Sequence, residues 1–191
     1  MQEKPKIVNV TMIRENLRDI PDVPLPSPYT YRWYRPGDED HWYRIWSTAD
    51  TEHQGATPET FAREFGSDAQ LLPERQVYVC DAAGRAVATA TAWFRNDYHG
   101  RDYGLVHWVA VAPEEQGKGL SKCLVSTVLK HLVTLGHDKA MLVTQVYRPR
   151  AIKAYLGFGF LPDLRTDDAP RLWQEIRTAM PGTVLDALDL D

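Results

Sequence analysis

Apolar and polar positions follow three rhythms along the chain. Residues 1–28 carry no sustained rhythm, and Pro21, Pro24, Pro26 and Pro28 interrupt them. That predicts an irregular extension wrapped over the domain rather than a part of its sheet. The aromatic run "YTYRWYR" (29–35) is strand-like. After Pro36-Gly37, Asp38 is placed to cap a helix in which Trp42, Ile45, Trp46 and Ala49 recur at helical spacing. Thr57 and Pro58 open a second helix that Gly66 ends. "QVYVC", the turn "DAAGR" and "AVATATAWF" read as a β-hairpin, with Ala88, Ala90 and Ala92 on one face that a helix can approach closely.

In "GLVHWVAVAP" the rhythm changes, because both parities are apolar: Leu105, Val109 and Val111 on one, Val106, Trp108, Ala110 and Ala112 on the other. A strand of this kind is central, with both faces covered. Pro113 stops it. A helix over about 118–135 follows, with Leu120, Cys123, Leu124, Thr127, Val128, Leu132 and Leu135 inward. Lys118, Lys122, Ser126 and Lys130 face outward, and Gly136 stands at the C-cap. A strand at 139–145, a short helix at 149–156, a strand from near Phe160 and a helical "APRLWQEIRTAM" complete a mixed α/β pattern.

Composition narrows the reading. With 191 residues and 43% hydrophobic content, one domain can bury a full core. The net charge of -4 and the lack of a long basic run argue against nucleic-acid binding. Every apolar run is short, which predicts neither a membrane span nor a secretory h-region, and hence a cytoplasmic protein. Cys80 and Cys123 lack CxxC spacing and read as two reduced core thiols rather than a redox pair.

The candidate chemistry begins at "VAPEEQGKGLSKCLV" (111–125), where Gly117 and Gly119 reach the first turn of a helix. The first N–H groups of a helix lack internal partners and carry the positive end of its dipole, so an anion is their natural occupant. A P-loop needs Ser or Thr after the lysine and a glycine five residues before it; Lys118 is followed by Gly119 and preceded at that distance by Pro113. A dinucleotide fingerprint needs a third glycine where Lys122 stands.

These residues resemble the GCN5-related N-acetyltransferase (GNAT) superfamily. Its acyl-CoA motif, Arg/Gln-x-x-Gly-x-Gly/Ala, is matched by Gln116, Gly117, Lys118, Gly119, Leu120 and Ser121, with serine at the last place. A second signature, Ala-x-x-x-Tyr-x-x-x-Gly-Phe, is present as Ala151, Tyr155, Gly159 and Phe160. The resemblance covers residues 29–162 and implies the GNAT fold: a mixed central β-sheet with splayed central strands, flanked by helices. It divides the chain into the extension 1–28 and a single acyltransferase domain 29–191, whose residues 163–191 form a helical tail. Many relatives close their sheet with a C-terminal strand, so the helical tail leaves the far edge open to question.

The resemblance also implies a chemistry. Backbone N–H groups from Gly117 to Lys122 would hold the pyrophosphate of acetyl-CoA, the cosubstrate, and Val109, Ala110 and Val111 would pair with pantetheine. An amine would attack the thioester, a main-chain N–H near Val109 or Ala110 would stabilise the oxyanion, and Tyr155 would donate to the leaving thiolate. No metal is implied. Family positions for a carboxylate base hold Leu105 and Val143, which accept no proton, so the amine is expected to lose its proton to water; His107 is the side-chain alternative. Arg148, in place of a frequent asparagine, would grip a CoA phosphate or an acidic acceptor group. Asp97, His99 and Asp102 would meet a cationic acceptor from a loop, and Trp33, Tyr34, Trp42, Tyr43, Trp46 and Trp93 are candidates for a pocket, most of them core. A small-molecule amine is the first expectation for the acceptor. A protein N-terminus or lysine is the second, and a catalytically silent acyl-CoA sensor the third, in a monomer or homodimer without membrane contact.

Overall fold

The computed structural model describes residues 8–49 and 56–190; the first seven residues of the expected extension and Asp191 lie outside them. In chain order the elements are β1 (Asn9–Arg14), β2 (Thr30–Trp33), α1 (Glu39–Ala49), α2 (Pro58–Phe65), α3 (Leu72–Arg75), β3 (Gln76–Cys80), β4 (Ala86–Tyr98) and β5 (Arg101–Val111). They continue as α4 (Leu120–Thr134), β6 (Ala140–Gln145), α5 (Pro149–Gly157), β7 (Leu161–Pro162) and α6 (Ala169–Ala179). The seven strands form one sheet in the order β2-β3-β4-β5-β6-β1-β7. Only β5 and β6 run parallel; the other neighbours are antiparallel.

The N-terminal segment corrects the sequence reading. Residues 9–14 are a strand inside the sheet, paired with β6 from Asn9↔Gln145 to Arg14↔Ala140 and with β7 at Met12↔Pro162. Val10, Met12 and Arg14 are buried in alternation, so the far side of the sheet is completed from the N-terminus while the C-terminal segment forms α6. The proline-rich part does wrap the domain. Val23 N–H donates to Ser126 Oγ at 3.2 Å, Ser126 Oγ donates to the Pro21 carbonyl at 2.7 Å, and Lys130 pairs with Asp22. Ser126, expected on an outer face, is therefore buried beneath this strap.

Two cores lie on opposite faces of the sheet. Ala88, Ala90 and Ala92 meet Leu124, Val128 and Leu132 of α4 in the first, which Trp173 of α6 joins. Trp42, Trp46, Phe61 and Phe65 of α1 and α2 pack with Tyr78 and Trp93 in the second. The Thr57–Thr60 capping box and Pro58 start α2 as expected. Asp38 precedes α1, but its carboxylate serves a different purpose from the expected cap. It takes both Arg32 nitrogens at 2.7 and 3.0 Å and the Arg35 N–H at 2.6 Å, tying β2 to the helix start.

The middle of the sheet parts. β5 and β6 are registered only at Gly104↔Ala140 and Leu105↔Met141, after which β5 stays with β4 and β6 with β1. The splayed central strands enclose a cleft.

Candidate active site

The glycine motif forms the turn before α4, outside the cleft lining. Gly117 and Gly119 have φ of 79° and 82°, and a Cβ added at either would meet nothing within 4 Å. Glycine is needed for the left-handed backbone, and the space beside it is open to a ligand. Lys122 and Cys123 N–H groups already donate to the Gly119 carbonyl at 3.0 and 3.3 Å, so the available donors belong to the turn before them. The flanking side chains act as braces. Gln116 Nε2 donates to the Ala49 and Val111 carbonyls at 3.3 and 3.1 Å, and Lys118 Nζ pairs with Glu115 at 2.7 Å and reaches Tyr29 at 3.2 Å. Leu120 is buried in the core. The segment thus presents the bare backbone of its two glycines between exposed polar side chains.

The cleft itself is about 540 Å³. One wall is β5 from Leu105 to Val109, joined by Trp46 of α1, Glu64 of α2 and Arg95 of β4. The other wall comprises Asn9 and Thr11 of β1, Val143 to Gln145 of β6, and Arg148 and Tyr155 at α5. Beyond Leu105 the β5 backbone faces this gap without a registered partner on β6. Strand edges of that kind accept an extended ligand through main-chain hydrogen bonds.

A bulge shapes the β5 wall. Thr91 opposes His107 and Thr89 opposes Ala110, so Trp108 and Val109 stand where the partner strand supplies only Ala90. Trp108 has φ of 50°, a left-handed conformation that costs a bulky residue about 1–3 kcal/mol. Successive strand residues normally point to opposite faces. Here the bulge lets neighbours converge: His107 Nε2 lies 3.4 Å and Trp108 Nε1 3.2 Å from the same Glu64 Oε2.

The electrostatics follow. Hydrogen bonds from His107 and Trp108 outweigh burial and hold the Glu64 carboxyl down at about 2. His107 lies among Phe65 and Trp108, with ring centroids 5.8 Å away in both cases. Burial pushes its imidazole below the ordinary value; Glu64 pulls it back up and Arg95 adds to the depression. At neutral pH the pair is thus an ionised carboxylate beside a neutral imidazole, and the carboxylate 3.4 Å from Nε2 favours the tautomer with its proton on Nε2 and its lone pair on Nδ1.

Tyr155 is held from behind. Gly159, with φ of 77°, ends its helix, the Phe160 N–H donates to the Tyr155 carbonyl at 3.1 Å, and the Phe160 ring meets the tyrosine edge-on at 6.2 Å. The glycine and phenylalanine of the second signature therefore fix the tyrosine's helix. Burial raises the Tyr155 phenol above its ordinary range, with Arg148 opposing, so the hydroxyl keeps its proton. Arg148 sits in the cleft with Tyr155, and the 116–122 turn is not part of that lining.

Sequence reasoning placed His107, Val109, Arg148 and Tyr155, and all four line the cleft. Leu105 and Val143 line it too, and neither titrates. Asp97, His99 and Asp102 do not: the hairpin closes tightly there, with Asp97 N–H donating to Asp102 at 2.8 Å. Among the six aromatic candidates Trp46 alone lines the cleft, while Trp33 and Tyr43 are exposed and Tyr34, Trp42 and Trp93 are core. Glu64 was missed. Its one local signal is its place one turn after the buried Thr60 and beside Phe65, a carboxylate bordering an apolar helix stripe.

The chain belongs to the acetyltransferase (GNAT) family, whose model matches residues 27–160. It is 32% identical over 148 residues to a mycothiol acetyltransferase of Pseudarthrobacter chlorophenolicus, covering 74% of this chain and 45% of that one. It spans about half the length of the curated relatives it matches. Among solved structures, the GCN5-related N-acetyltransferase of Sphaerobacter thermophilus superposes with a TM-score of 0.59 at 19% identity, over 88% of this chain and 46% of that one. The NatC complex bound to Gag peptide and CoA gives 0.58 at 18% identity, over 70% and 84%. No helix among the described residues is long and apolar enough to cross a membrane.

Proposed function

We propose that this chain transfers the acetyl group of acetyl-CoA to the amine of a small molecule by direct attack. The observation that carries the reading is the parting of β5 and β6 after Leu105, with the protonated Tyr155 in the resulting cleft and the glycine turn of α4 beyond it. Backbone N–H groups of the turn suit the pyrophosphate, and the unpartnered edge from Val109 to Val111 suits the pantetheine amides. In the reaction the amine nitrogen bonds to the acetyl carbon and the carbonyl becomes an oxyanion. A main-chain N–H at the bulge, near Val109 or Ala110, receives it. The C–S bond then breaks, and Tyr155 hands its proton to the departing thiolate. That transfer is uphill by at least about 2 kcal/mol, the gap between an ordinary phenol near 10 and a thiol near 8.5, and the burial of Tyr155 widens it. Arg148, beside Tyr155, fits an acidic group on the acceptor better than the pyrophosphate.

A small acceptor is favoured by relatives named for mycothiol acetylation. Thiol release from acetyl-CoA, measured against amino sugars, aminoacyl amines, peptide N-termini and lysyl peptides, tests the reading. Saturable release with small amines supports it, and preference for peptides moves the acceptor to protein. Tight acetyl-CoA binding with no amine-dependent release overturns it.

A further inference from the structure

We propose that His107, oriented by Glu64, takes the proton that the acceptor ammonium must lose before it attacks the thioester. The inference rests on the acetyl-transfer reading and replaces the water route that Leu105 and Val143 suggest from sequence alone. Three observations carry it. The bulge at Trp108 turns two consecutive side chains onto one carboxylate, at 3.4 and 3.2 Å, with the tryptophan in a left-handed conformation. Among the described residues Glu64 is the one carboxylate lining the cleft, and it comes from a helix rather than a sheet strand. Trp46 and Trp108 meet edge-on at 4.6 Å beside it, so an arriving ammonium finds an anion framed by aromatic rings.

The steps balance. Glu64 holds the Nε2–H of neutral His107, leaving Nδ1 to accept a proton from R–NH3+, which gives R–NH2 and an imidazolium stabilised by the Glu64 carboxylate. The free amine forms the C–N bond, the C–S bond breaks, and Tyr155 protonates the thiolate. The second proton on nitrogen returns to the Tyr155 oxygen through water, and the imidazolium releases its proton to solvent. His107 is the catalytic residue and Glu64 a positioning residue. The other titratable groups lining the cleft are Arg95 and Tyr98 of the neighbouring β4, Arg148 just before α5 and Tyr155 of α5. Of these, Arg95 opposes protonation of His107, which sharpens the need for Glu64.

The test is the pH profile of kcat/KM for several amines of different basicity, in wild type, His107→Gln and Glu64→Gln, with the His107 imidazole titrated by NMR in wild type and Glu64→Gln. In wild type all acceptors should share one acid limb below about 6.5 and then a plateau, because neutral imidazole works on protonated amine. His107→Gln should abolish that limb and lower the plateau at least tenfold, leaving a rise that follows each amine's own pKa. Glu64→Gln should move the limb and the NMR midpoint to lower pH, since the imidazolium loses its carboxylate. A purely structural role would leave the kinetic limb in place even as the NMR midpoint moves. Profiles that follow the amine in wild type and remain so in both variants, or an NMR midpoint unmoved by Glu64→Gln, would overturn the proposal. Failure of the acetyl-transfer reading looks different: no amine releases thiol at any pH in any variant, and both statements fall together.

Discussion

The two halves of β5 obey different rules. At Gly104 and Leu105 the strand is registered on both sides, and α4 lies so close that a Cβ on Gly104 would stand 2.8 Å from Leu132 Cδ2. A few residues later the strand has a bulge on one side, a cleft on the other and a left-handed tryptophan between. Close packing secures the first half; the second half gives up ladder pairing and accepts strain to aim side chains and main chain at a ligand. Stability and chemistry are thus separated along a single strand, and substitutions in the two halves should separate in the same way.

The largest effect should come from Tyr155, across the cleft from the open half. Tyr155→Phe keeps the packing against Phe160 and deletes only the hydroxyl, so turnover should fall by roughly tenfold to a thousandfold. Acetyl-CoA affinity and melting temperature should barely move. Steady-state kinetics with a saturating amine, beside calorimetry, checks this; unchanged turnover where chemistry limits the rate would reduce Tyr155 to a packing residue.

The same division explains what could be read from sequence. The glycine turn and the Tyr155 signature are contiguous, each a local solution to a local geometry, and both were legible. So was the central place of β5, since both parities of 104–112 are apolar, although 107–109 border the cleft and are only half-buried. The bulge was not, because an all-apolar strand shows no break in alternation to mark an inserted residue. Nor was Glu64, whose partner lies 43 positions later (64 to 107) and is reached only through the docking of α2. The strand at 9–14 was hidden by the prolines that follow it. Its own signal, Val10 and Met12 alternating with polar residues, is short and was outweighed. Ser126 differs for a related reason: helical periodicity tells which face is apolar but not that a strap distant in sequence covers the polar one.

A smaller effect is expected at the turn, which differs from the bulge in offering backbone rather than side chains. Gly119→Asp requires an L-residue at φ of 82° and sets a negative charge where the pyrophosphate should lie. Acetyl-CoA affinity should fall by well over tenfold, equivalent to about 2 kcal/mol. The space around that position is open, so the cost to the fold is limited to left-handed backbone strain of about 1–2 kcal/mol and the variant should still fold. Calorimetry showing wild-type affinity in a folded variant would remove the turn from the binding site, while leaving the bulge untouched.

The smallest effect belongs to the packed half and should appear in a different measurement. Gly104→Ala places a methyl 2.8 and 2.9 Å from the two Leu132 methyl carbons and 3.1 Å from His137 Cγ. Leu132 is fully buried, so it must change rotamer against its neighbours or push α4 outward. Overpacking of this kind costs about 1–2 kcal/mol, which for a chain of this size lowers Tm by about 2–6 °C. Because the parting of β5 and β6 begins only after Leu105, acetyl-CoA affinity and turnover of the folded fraction should stay within about twofold of wild type. Thermal unfolding and kinetics on one preparation decide the matter. A variant with unchanged Tm but weakened catalysis would show that strain at Gly104 is transmitted to the bulge, and that the two halves of β5 are one mechanical unit rather than two.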